Sequence, residues 1–222
     1  MKKLSTLVLA LAAAGAAQAD TVSYQFSNSL ATTEIHQSGQ LGFFDTNLGV
    51  LSGIALSING KMLSSITLTN NAAQQQSPIA KGTVDLYFAS DLGALNLLFA
   101  ASNPLSMSAT VNNIVLQSSE TRVFDNLYAE KAAMFDLQLN SMWADFSRAG
   151  GGAFNVSCTS VSGIAVSGGG GNIEASQATD AACGAKITYT YGPATQVPEP
   201  ASLALVALAL VGAGAAARRR PA

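Results

Sequence analysis

Histidine occurs once in this chain, at His36. Serine-protease triads, zinc hydrolases and most acid–base schemes need an imidazole with placed partners, and the Ile35-His36-Gln37 run supplies none. An exposed strand histidine is the plainer expectation. Asp136 and Asp145 are the candidates for glycosidase chemistry, which needs two carboxylates roughly 5–9 Å apart across a cleft. Solvated turn acids are the ordinary alternative. Asp45, Asn47, Asp125 and Asn126 fall at expected turns, where side-chain oxygens can ligate Ca²⁺. The same residue types also bond their own backbone without a metal. No EF-hand-type loop is present, so Ca²⁺ is the one cofactor these residues admit, and no catalytic residue is assigned. Trp143, with Tyr128 and Tyr87, could stack on sugar rings as a glycan platform; a sole tryptophan in a β-sandwich also serves the core.

Cys158 and Cys183 are the only cysteines. In an oxidising compartment such a pair forms one disulfide. It closes a loop of about 26 residues and stabilises by roughly 3.5 kcal/mol in the chain-entropy model. There is no CxxC and no companion histidine cluster, so a reactive pair is not the expectation. Gly168-Gly169-Gly170-Gly171 lies between the cysteines. Without a following helix or a Gly-Lys-Ser/Thr ending, it is no phosphate cradle.

The elements that must position these residues are short β-type runs between turn residues. Thr21–Phe26 alternates Val22, Tyr24 and Phe26 on one face, and Glu34–Leu41 is a weaker run. Leu51–Asn59 presents Ile54, Leu56 and Ile58. Asn59-Gly60 follows, the strongest short hairpin signal, and Lys61–Asn70 turns Ile66 and Leu68 inward. Leu51–Asn70 is therefore expected to be a hairpin. Gly82–Ala89 sets Val84, Leu86 and Phe88 against Thr83, Asp85 and Tyr87. Ala94–Ala101 is expected to be a strand buried on both faces, and Met107–Leu116 and Lys186–Tyr191 are further strands. Val123–Leu139 fits either a short helix or a loop plus strand. Ala149–Ala182, rich in glycine, serine and alanine, is expected to be a long irregular excursion bound by the disulfide. Many short strands with regular turn chemistry favour an all-β fold, a β-sandwich of jelly-roll-like kind.

The ends of the chain carry addressing signals. Met1-Lys2-Lys3, the apolar Leu4–Ala16 and Ala17-Gln18-Ala19 form a secretory signal peptide over residues 1–19, cleaved between Ala19 and Asp20; an N-terminal anchor helix is the alternative. At the other end stand Val197-Pro198-Glu199-Pro200, an apolar run from Ala201 to Ala217, and Arg218, Arg219 and Arg220. The 17-residue run makes about 25 Å of helix, near the lower limit for crossing a bilayer core. The arginines stop transfer and hold the preceding chain outside the cytoplasm. Between these signals lies one expected domain, residues 20–196, with six basic and twelve acidic side chains, a balance of about −6. That charge argues against nucleic acid and anionic lipid as partners.

The C-terminal pattern, residues 197–222, resembles a PEP-CTERM sorting signal. Pro198 and Pro200 hold the motif extended and leave Glu199 accessible. The resemblance implies an exosortase-type protease as partner, which removes the helix after a transient membrane stage; a plain C-terminal anchor uses the same helix and arginines. The ectodomain is similar to the choice-of-anchor E domain in the stretch from Phe43-Phe44-Asp45 through Leu48-Gly49 to Ile58. Tyr189-Thr190-Tyr191-Gly192-Pro193 matches that family's ending, and Phe135-Asp136 with Asp145-Phe146 its later region. That resemblance carries no catalytic residue or ligand. The expected function is therefore a non-enzymatic exported surface or extracellular-matrix protein among exopolysaccharide in a biofilm. A carbohydrate-binding module is the alternative, and a secreted hydrolase using Asp136 and Asp145 the least favoured.

Overall fold

The structure, a computed structural model, describes residues 19–137 and 140–193. The signal-peptide segment before Ala19 and the whole sorting segment, with Val197–Pro200, the 201–217 run and Arg218–Arg220, lie outside the described residues. Among the described residues no helix is long and apolar enough to cross a membrane. The elements in chain order are β1 (Asp20–Ser27), β2 (Ala31–Thr32), β3 (His36–Gly42), β4 (Phe44–Asp45), β5 (Val50–Asn70), β6 (Ile79–Ser90), α1 (Gly93–Ser102), β7 (Leu105–Val111), β8 (Thr121–Asp136), α2 (Asn140–Trp143), β9 (Ser147–Arg148), β10 (Ala153–Ser167) and β11 (Ile173–Gly192).

Alternating side chains build two sheets that bury one face each against the other. The first has the order β1-β11-β5-β8, with β2 also on β11; the second has the order β3-β10-β6-β7. β4 and β9 form a small parallel pair at one end. Ile54, Leu56, Ile58, Ile187 and Tyr189 of the first sheet and Val84, Leu86, Phe88 and Val156 of the second fill one core. Ile66, Leu68, Ala80, Val111 and Leu116 make a smaller core toward the far end. The expected all-β sandwich is what the chain forms.

Several elements differ from expectation. Leu51–Asn70 is no hairpin: β5 runs unbroken through Asn59-Gly60. A two-residue turn would place Ile58 opposite Lys61 and bring odd-numbered residues inward beyond it. The buried residues instead keep an even phase throughout, through Ile58, Gly60, Met62, Ser64, Ile66 and Leu68. Gly60 is small because the opposite sheet occupies its side-chain space: a Cβ there would lie 2.3 Å from Leu86 Cδ1 and 3.0 Å from Met107 Cε.

Ala94–Ala101 lies in a helix, α1, and not in a strand. Leu95 and Phe99 are buried one helical turn apart, whereas Leu97 is 76% exposed. Two asparagines explain the placement. β7 pairs with β6 only as far as Leu86. Beyond that point the Asn103 amide accepts from Phe88 N–H and donates to Phe88 C=O, both at 2.9 Å. Asn96 does the same for Ser90 at 2.8 Å. Side-chain amides thus complete the ladder that a strand would otherwise supply, satisfying groups that are costly to leave bare.

Val123–Leu139 is strand through Asp136, with Leu127, Ala129, Ala133 and Phe135 half-buried at alternate positions. The strand expected over Met107–Leu116 stops at Val111, and Leu116 returns only as an isolated bridge to Gln76. Ala149–Ala182 is largely ordered sheet, against the expected irregular excursion. β10 and β11 are long strands in opposite sheets, joined by Gly168–Gly171, whose φ angles of 59–82° only glycine adopts freely. Small residues there permit strands because the partner sheet supplies the bulk.

Candidate functional site

The disulfide joins Cys158 of β10 to Cys183 of β11, with Cα atoms 6.6 Å apart. It therefore clips the two sheets together across the core. Both sulfurs belong to fully buried residues, and Ala181 and Ala185 flank Cys183 on the buried face, which lets the backbones approach closely.

The three aromatic residues proposed as a platform do not share a surface. Trp143 is half-buried against the main core, and its indole N–H donates to Leu137 C=O at 2.8 Å. Burial of the ring with its one donor satisfied is a structural role. Tyr87 points outward from β6 and Tyr128 outward from β8, so they lie on the outer faces of opposite sheets. Tyr128, 53% exposed, donates its hydroxyl to Glu130 at 2.6 Å. That hydrogen bond to a carboxylate holds the phenol pKa above its ordinary value.

The other singled-out residues are also dispersed. His36 begins β3, exposed, opposite Thr159. Asp136 ends β8, and the depression beside it is lined by Ser57, Met134 and Lys186, with Asp145 not among its lining residues. Asp145 is exposed in a 3-10 turn. The Asp45 carboxylate accepts from the backbone N–H of Asn47 and of Gly150, each at 2.9 Å. These two bonds hold its pKa below the usual carboxylate value. Asp125 accepts from the Ser65 hydroxyl at 2.6 Å, far along β8 from the Asp45 turn. The four proposed Ca²⁺-type residues thus divide between two places. Among the described residues, no three acidic, histidine or cysteine side chains cluster as a metal site would.

One place does bring polar groups together. A groove of about 420 Å³ crosses the outer face of the first sheet, lined by Thr32, Leu63, Ser65, Asp125, Asn126 and Asp180. A β-bulge makes it: Asp125 and Asn126 together oppose Ser65, the ladder passing from Ser64–Leu127 to Ile66–Phe124. Asn126 has φ 59°, a conformation that asparagine tolerates better than most residues. Bulges re-aim side chains and turn a flat ladder into a concave one. On the other side, the Thr32 hydroxyl donates to Asp180 at 3.0 Å. Tyr128 sits directly across from Leu63, beside the groove, and is not among its lining residues. Hydroxyls and two carboxylates above a floor of Leu63 and Ala178 can hydrogen-bond a polyol and contact its C–H surface. Asp125, Asn126 and Tyr128 were legible as candidates. Thr32, Ser65 and Asp180 were missed; they meet only through the strand order.

The model of one family, the PEP-CTERM protein-sorting motif, matches residues 196–220. The motif marks an exported protein that an exosortase processes, anchored at the membrane and then cleaved. The match stops short of the sandwich and lends no support to the choice-of-anchor E resemblance. No curated protein matches the chain. Among solved structures, the chain is similar to one from infectious bursal disease virus, Gt strain, at 12% identity over 88% of this chain and 49% of that one, TM-score 0.17. A sacbrood virus of honeybee structure aligns at 11% identity over 78% of this chain and 74% of that one, TM-score 0.21. A mud crab dicistrovirus structure aligns at 11% identity over 82% and 74%, TM-score 0.19. The chain spans about half the length of the first of these.

Proposed function

We propose that this is a non-enzymatic surface or matrix protein whose sandwich makes weak, repeated contacts with exopolysaccharide. The observation that carries the reading is the groove between Asp125 and Asp180, with Tyr128 beside it across from Leu63. Its groups recognise hydroxyl-rich chains, and many copies on one surface would turn weak contacts into avidity. In the same reading the sandwich is a jelly roll. The support is its wrapping: β1 with β11, β3 with β10, β5 with β8 and β6 with β7 pair antiparallel, the pairs alternating between sheets.

The test is titration of the purified ectodomain with neutral and acidic bacterial polysaccharides, beside Tyr128→Ala and Asp180→Ala. At least a tenfold loss of affinity in either variant, with unchanged Trp143 emission on binding, supports the groove. Equal binding by all three proteins removes it. Hydrolysis of the polysaccharide, abolished by Asp136→Asn or Asp145→Asn, would overturn the non-enzymatic reading in favour of a hydrolase.

A further inference from the structure

The molecule has two poles. β5 has 21 residues and β11 has 20, so the sandwich is roughly 60–70 Å long at about 3.3 Å per residue. Asp20, at the expected cleavage junction, pairs with Tyr191, and Gly192 pairs with Val50. Both ends of the described chain therefore leave from one pole. The Gly168–Gly171 turn, together with Ile79 and Val115, lies at the other.

Eight residues, Pro193 to Pro200, separate β11 from the apolar run at Ala201. Even fully extended, the nine steps from Gly192 to Ala201 reach at most about 32 Å, at no more than 3.6 Å each. That is about half the length of the sandwich. While the tail holds the chain at a membrane, the near pole is kept close to lipid and the far pole is out of reach of an upright molecule. The near pole is also where Leu48 and Val50 stand, 44% and 60% exposed, on the turn that enters β5 beside Gly192. Asp20 at the start of β1 and Asp45 opposite Arg148 give this pole mixed charge, so attraction to one lipid charge is not the driving force.

We propose that, before processing, this pole rests on the lipid surface, with Leu48 and Val50 in the bilayer interface and the long axis standing away from it. The proposal rests on the tail-anchored stage of the sorting reading. A short tether confines the pole at high effective concentration, so two apolar side chains suffice to bias its orientation where they could not bind a free domain.

The experiment uses the full chain reconstituted into phosphatidylcholine vesicles with the native disulfide intact. Nitroxide labels are placed singly at Leu48→Cys, Val50→Cys, Ile79→Cys and Val115→Cys. The last two are control positions at the far pole, 45% and 43% exposed in the native protein. Labels at 48 and 50 are expected to be at least threefold more accessible to oxygen than to a water-soluble nickel chelate, relative to 79 and 115. High salt should not change this. Equal chelate access at all four positions overturns the proposal while leaving the anchor intact. Failure of the protein to float with the vesicles overturns the tether itself, and the proposal with it. Oxygen preference at 79 and 115 as well would show the sandwich lying flat, which also overturns it.

Discussion

Gly60 offers a direct test of why β5 continues where the dipeptide signal favours a turn. In the structure Gly60 is buried and extended, with Leu86 and Met107 of the opposite sheet filling its side-chain space. Gly60→Ala would gain about 0.4–1 kcal/mol from the stiffer unfolded chain. It would lose about 1–3 kcal/mol from a methyl placed 2.3 Å from the Leu86 Cδ1 position. The net expectation is a loss of about 1–2 kcal/mol. Leu86→Ala alone should cost about 2–5 kcal/mol, since Leu86 is fully buried. In that background the methyl at position 60 enters vacated space, so Gly60→Ala should become neutral or slightly stabilising. The coupling is thus about 1.5 kcal/mol or more in favour of the double variant. Urea unfolding of the oxidised ectodomain, followed by Trp143 fluorescence, measures all four corners of the cycle. A turn glycine with positive φ would instead lose about 1 kcal/mol in both backgrounds. Additivity within about 0.5 kcal/mol would therefore refute a strand packed on Leu86.

Three further outcomes follow from named contacts. Replacing both Cys158 and Cys183 by alanine should cost about 3.5 kcal/mol, or about 7–14 °C in a domain of this size; a loss below 1 kcal/mol in calorimetry would show that the clip does not constrain the unfolded chain. Tyr189 is buried, donates to Gly42 C=O at 2.8 Å, and has its phenol pKa pushed up by burial and by Tyr24. A raised folded pKa means stability that is complete below about pH 10 and falls above it by about 1.4 kcal/mol per unit, a slope that Tyr189→Phe should remove at a cost of about 1 kcal/mol at pH 7. Asp45 has a depressed pKa, so its turn is held above the ordinary carboxylate range and released as pH falls through the lower folded value. Amide-exchange protection at Asn47 and Gly150 should fall there, and should already be absent in Asp45→Ala at pH 7; unchanged protection would remove Asp45 from the turn.

The sandwich was legible because period-2 burial is a one-dimensional signal, and Val22, Tyr24 and Phe26 or Val84, Leu86 and Phe88 display it without reference to anything distant. The hairpin error shows how a local signal can outvote a better one. Asn59-Gly60 is a strong turn dipeptide, but Ile58, Met62, Ile66 and Leu68 share one parity, which a two-residue turn does not permit. The phase was in the sequence; the reason for the glycine was on another strand. The α1 error is of the opposite kind. Ala94–Ala101 carried a local helix signal, Ala and Leu without a β-branched residue and Leu95 four before Phe99, that the continuous apolar run obscured; Asn96 and Asn103 then close the end of β6. The glycine- and serine-rich span misled through composition, since small residues there serve close sheet approach around Cys158 and Cys183. The groove was half legible for the same reason. Asp125 and Asn126 signal a turn, and they form a bulge, but Thr32 and Asp180 join them only through a strand order that no spacing encodes.

The place of β11 in the first sheet connects these observations to the sorting signal. β11 is an inner strand of the first sheet, paired along its length with β5 and at successive points with β1 and β2. Its last residue, Gly192, is the point from which the tail departs. Any pull on the tail is therefore delivered to a strand paired on both sides, close to the pole where β1 also begins. Cys183 lies nine residues before Gly192 and ties that strand covalently to the opposite sheet. A terminal strand at a sheet edge could peel from its one neighbour, whereas β11 would have to break two ladders and remain held by the disulfide. This arrangement suits a domain that must stay folded while its tether is held at a membrane. It also leaves the groove, more than half way along β11 from the tail, clear of the lipid in the upright orientation.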